Sequence, residues 1–170
     1  MMRSILLLGV MAVFANGQAA KTAWTDMAAR QGQVADLLKR SAAKMPEASW
    51  DFKPTHEVNS FAAFIGHLAD ASYAICAGSM GEKSPSPGVA KTMKGKDELS
   101  KGLGEALAYC DKAYAALNNE NANEPVKLFG MDMTRAGALG LNTAHSMEHY
   151  GNLVTYMRIR GLVPPSSEKR

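Results

Sequence analysis

The chain has 170 residues, of which 46% are hydrophobic and 21% charged. That is one domain's length, with enough apolar material for a core and too little charge for a disordered chain. Lys and Arg number 19 against 16 Asp and Glu, and the lysines from Lys91 to Lys101 are interrupted by Asp97 and Glu98, so no basic stripe supports nucleic-acid binding. Two cysteines exclude a disulfide-dense scaffold and a Cys-rich zinc module.

Residues 1–19 read as a secretory signal peptide. Arg3 precedes an apolar run from Ile5 to Phe14, and Gly17 and Ala19 place small residues ahead of a cut after Ala19. The run is too short to span a bilayer, which takes about 20 apolar residues, and no later segment reads as transmembrane. The expectation is a single domain over residues 20–170, exported to the periplasm or secreted, with no membrane span once the signal is removed.

Four long helices are predicted. The first runs from about Thr25 to Met45, with Met27, Val34, Leu37, Leu38 and Met45 at helical spacing and Pro46 as its stop. Trp50 and Phe52 in the following loop are expected to seal one end of the core. The second helix starts at Asn59 or Ser60, both good caps, and ends at Gly78 to Gly81. The third runs from about Asp97 to Leu117. A short apolar piece, Val126–Phe129, reads as a loop or an extended segment. The fourth helix runs from about Thr134 to Arg160, with Gly161 just past its end and Pro164–Pro165 forbidding continuation. Four such helices with almost no strand signal predict an all-α four-helix bundle with long crossover loops.

Three of the four histidines form a pattern. His145 and His149 are four residues apart, about 40° around one helix face and one turn along it, which is how a helix offers two imidazoles to one metal. His67 stands mid-helix among Phe64, Ile65 and Leu68, where a buried polar ring needs a partner. Three neutral imidazoles suit a divalent transition metal with a coordination position left open. His56, in a loop beside Glu57, reads as an exposed polar residue. His145-Ser-Met-Glu148-His149 also matches the H-x-x-E-H metalloprotease signature. That class needs a distant acidic ligand downstream, whereas the sole acid after His149 is Glu168. Glu148 could serve as a base beside the metal or remain a solvated residue. Asp70, three residues past His67, could orient a ligand histidine or act as a cap. The methionines form no Met-x-x-Met cluster of the kind that handles copper.

Two stretches then resemble a known family: Ser60-Phe-Ala-Ala-Phe-Ile-Gly-His67-Leu-Ala-Asp70-Ala-Ser-Tyr73, and His145-Ser-Met-Glu-His149-Tyr-Gly151 through Arg158-Ile-Arg-Gly161-Leu-Val-Pro-Pro. Together they are similar to the DinB/YfiT-like superfamily, over roughly residues 22–165. The resemblance implies an up-down-down-up four-helix bundle. It implies a divalent metal, zinc or nickel, held by His67, His145 and His149, and frequent dimers. It also implies either a metal-dependent enzyme acting on a small molecule, by thiol S-transfer, another nucleophilic transfer or hydrolysis, or a non-catalytic metal-binding or stress-response bundle. The chain departs from the family's characterised transferases in carrying Glu148 before the last ligand and in its export signal.

Cys76 lies nine residues beyond His67, about half a turn out of phase with it, and so points away from the metal. With Cys110 on the third helix it forms either a disulfide or one of two buried thiols.

Overall fold

The computed structural model describes residues 21–169; the segment read as a signal peptide lies outside the described residues. Thr22 opens the first helix, α1 (Ala23–Lys44), through a reciprocal capping box with Thr25. Pro46 then turns the chain into a single 3-10 turn, Glu47–Ser49. Ser60 caps α2 (Phe61–Ser79), its hydroxyl accepting from the Ala63 N–H at 3.1 Å. A short helix, α3 (Val89–Thr92), precedes α4 (Gly95–Ala115), which starts two residues before Asp97. The apolar Val126–Phe129 piece is extended: β1 (Pro125–Leu128) pairs antiparallel with β2 (Met131–Thr134) in a hairpin. Thr134 caps the last helix, α5 (Arg135–Ile159), and Gly161 follows it at φ +74°. Only glycine adopts that left-handed geometry without steric cost.

Side-chain pairs give the helix directions. Trp24 bonds Asn119 near one end of α1, and Lys96 reaches the Ala43 and Met45 carbonyls at the other, so α1 and α4 are antiparallel. Thr143 bonds Gln31, and Glu168 beyond α5 bonds Lys44, so α1 and α5 run parallel. Phe64 meets Tyr156 while Ile75 packs with Ala138, so α2 and α5 are antiparallel. The result is the up-down-down-up bundle, with α2 packed most heavily on α4 and α5.

The main core joins α1, α2, α4 and α5 through Leu38, Ile65, Leu68, Leu103, Leu107, Leu153 and Met157. Its end is sealed as expected. Trp50 is 3% exposed, stacks edge-on against Phe61 at 5.4 Å, and donates to the Met45 carbonyl. Phe52 meets Tyr156 edge-on and carries Arg160 over its face. α2 is long and apolar enough to cross a membrane, yet most of it is buried against its neighbours, which is what the central helix of a bundle requires. Cys76 and Cys110 are disulfide-bonded and fully buried, tying α2 to α4.

Candidate metal centre

α2 and α5 cross so that His67 and the His145–His149 pair face one another. The two ring Nε2 atoms of His67 and His149 each lie 3.1 Å from His145 Nε2. One ligand atom from each ring falls within 4.8 Å of the others. The three rings stand steeply to one another, with centroids 4.5 to 5.1 Å apart. A single ring nitrogen cannot make two good hydrogen bonds at once with one lone pair or one proton. Three converging imidazole nitrogens therefore suit one cation better than one another. The spacing fits: a tetrahedral zinc with bonds near 2.05 Å has ligand nitrogens about 3.3 Å apart. His67 is exposed rather than buried as its apolar neighbours implied, and the other two are half-buried, so the cluster opens to solvent on the α2 side.

The electrostatics favour the ligand form of the rings. Burial, followed by the neighbouring imidazoles, lowers the pKa of His145 below its ordinary value of 6.5. Burial and then His67 do the same for His149. Both rings therefore stay neutral, with a lone pair to give, somewhat below the pH at which a free histidine protonates. Glu148 acts weakly in the opposite direction on both.

A family profile described as the DinB superfamily matches residues 30–153, a span that contains all three histidines. The chain belongs to the DinB superfamily. Solved structures agree on the fold. A DinB-like protein from Bacillus cereus superposes with a TM-score of 0.73 at 15% identity, covering 83% of this chain and 95% of that one. A DinB-like protein from Bacillus subtilis gives 0.68 at 19% identity, covering 85% and 99%. A mycothiol-dependent maleylpyruvate isomerase gives 0.65 at 16% identity, and there the match covers 78% of this chain but 61% of the isomerase. No curated protein matches the chain in sequence.

Around the DinB histidines, each residue singled out from sequence takes a definite place. Glu148 is exposed and borders the pair without a hydrogen bond to either ring among the described residues. Asp70 does not reach the histidines. Its carboxylate accepts from the Val89 and Ala90 N–H groups at 2.7 and 3.0 Å and from the Ser86 hydroxyl, so it caps α3 and moors that helix beside α2. Gly66 makes room for it: a Cβ there would stand 2.8 Å from Ala90 Cα. His56 is solvent-exposed and pairs with Glu57. Glu168, the acid the protease signature would need, is bonded to Arg40 and Lys44 on α1. A separate cleft of about 720 Å³ takes only Met147 from α5, two residues from each histidine and so on the far side of the helix.

Two neighbours of the site carried no role in the sequence reading. Phe64 packs its ring 5.3 Å from that of His149 and is itself buried. Asn152 places its carboxamide 3.3 Å from His149 Nδ1. The spacing of three from His149 was the available signal for Asn152, since such a residue lies on the same helix face.

Proposed function

We propose that this protein is an exported, divalent-metal-dependent enzyme that catalyses nucleophilic transfer or hydrolysis on a small molecule. The observation that carries the reading is the convergence of His67, His145 and His149 Nε2. His67, His145 and His149 would hold the ion, with zinc or nickel best suited to three imidazoles. A bound ion of that kind supplies Lewis acidity at a position the three histidines leave open. The chain's own residues do the rest. The exposed edge at His67 admits substrate, Phe64 shields the His149 ring from water, and Glu148 stands at the rim as a candidate base. The structural likeness to a mycothiol-dependent isomerase supports a thiol as one candidate nucleophile. The signal-like residues 1–19 support export.

The test expresses the full chain with its leader and measures metal content by elemental analysis beside His149→Ala. The expected result is about one transition-metal ion per chain, lost in the variant, on a protein whose intact mass shows cleavage after Ala19. Metal-free protein that remains empty after reconstitution with zinc and with nickel would overturn the reading.

A further inference from the structure

His149 is set apart from the other two histidines by its second nitrogen. His149 Nδ1 lies 3.3 Å from Asn152 Nδ2, and among the described residues neither His67 Nδ1 nor His145 Nδ1 has a side-chain partner. Asn152 is half-buried, one helical turn beyond His149 and on the same face. The contact has chemical content because a neutral imidazole carries one proton. If Nε2 is to give its lone pair to a cation, the proton must sit on Nδ1, and Nδ1 becomes a donor. The group opposite must then accept. The amide nitrogen of Asn152 cannot accept, but its oxygen can, and the two exchange places by a half-turn of the carboxamide.

We infer that Asn152 is a positioning residue for His149: its Oδ1 accepts from His149 Nδ1–H, which locks the ring in the tautomer that presents Nε2 to the metal. The inference rests on the three-histidine reading above and adds a residue to it. Phe64 complements the lock by packing against the ring, so its plane is held by an aromatic contact and its rotation by the amide. His67 is exposed and has no such partner among the described residues.

The test compares Asn152→Leu, which keeps the branched shape and removes the acceptor, with Asn152→Asp, which can only accept. Zinc affinity of each purified full-length protein is read by competition with a chromophoric chelator. Thermal melting of the metal-free forms serves as the control for folding. Loss of a group that orients a metal-bound histidine costs about 10–100-fold in affinity. Asn152→Leu is expected to lose that much while melting like the parent, and Asn152→Asp to bind zinc as tightly as the parent or tighter. The ring 15N shifts of His149 in the zinc-loaded parent are expected to show a protonated Nδ1. Asn152→Ala replaces the leucine variant if leucine disturbs α5. Parent-like zinc affinity in Asn152→Leu, or an equal loss in Asn152→Asp, would overturn the inference and leave the metal reading standing. A parent that binds no zinc or nickel would overturn both.

Discussion

Single residues at this site divide by what their polar atoms touch. Burial lowers the pKa of both His145 and His149, with His149 and His67 adding to the effect on His145 and His67 alone adding to it on His149, whereas Asp70, close to His67 in sequence, is spent on the backbone of α3. Distance along the helix cannot separate those two roles, because a residue three positions from a ligand shares its face with every other group there. Substituting Asp70 by Ala removes a cap of a kind that contributes about 1 kcal/mol. The expected outcome is a stability loss of about that size in urea denaturation, with zinc affinity close to that of the parent. A loss of zinc affinity as large as that of a ligand substitution would mean that Asp70 orients His67 after all. A buried polar knot shows the same dependence on context. Tyr114 donates to the Leu139 carbonyl and gathers Gln31, Asn142 and Thr143 around its hydroxyl. Gln31 sits among apolar positions of α1, and nothing in the periodicity tells which of them needs a hydrogen-bond partner.

Whole elements followed their local signals closely where those signals were caps. Ser60, Thr134 and Gly161 act as the sequence implied, because a cap is satisfied by backbone within a few residues and needs no distant partner. The hairpin was less legible. Its turn, Phe129-Gly130, has both residues at positive φ, 52° and 79°, as a tight two-residue hairpin turn requires. Phenylalanine is a poor occupant of that geometry, so the usual Asn-Gly flag is missing. The hairpin forms because Leu128 is anchored against the core: a Cβ at Gly78 would stand 2.6 Å from its Cδ1. Phe129 itself is 64% exposed, so its ring adds little by burial. Phe129→Asn is expected to stabilise the protein by about 1 kcal/mol, since asparagine tolerates the left-handed region far better. Thermal melting reads the gain, and an unchanged or lower melting temperature would show that the ring is held by contacts of its own.

At the scale of the molecule, the disulfide and the bundle topology act together on the site. Cys76–Cys110 closes a loop with a sequence separation of 34, for which the chain-entropy account gives about 4 kcal/mol of stabilisation. It joins α2, which carries His67, to α4, while His145 and His149 ride on α5. Cys76→Ala with Cys110→Ala is therefore expected to lower unfolding stability by about 4 kcal/mol, and reductant to do the same to the parent. Denaturant curves with and without reductant give the comparison; a parent indifferent to reductant would place the thiols unpaired in the protein as made.

Taken by itself, the sequence determined the four long helices and the candidate ligands. Helical periodicity, caps and stop signals are local, and the His145–His149 spacing is a property of one helix. The resemblance over both histidine stretches carried the expectation further, to the up-down-down-up topology and to His67 as the third partner. Only the tertiary structure decided what depends on crossing helices. It turned half a turn of phase into a Cys76–Cys110 bond, brought His67 within 3.1 Å of His145 across 78 residues, and sent Asp70 to α3. Those outcomes depend on which faces meet, and that is settled by packing of the whole core rather than by any window of the chain.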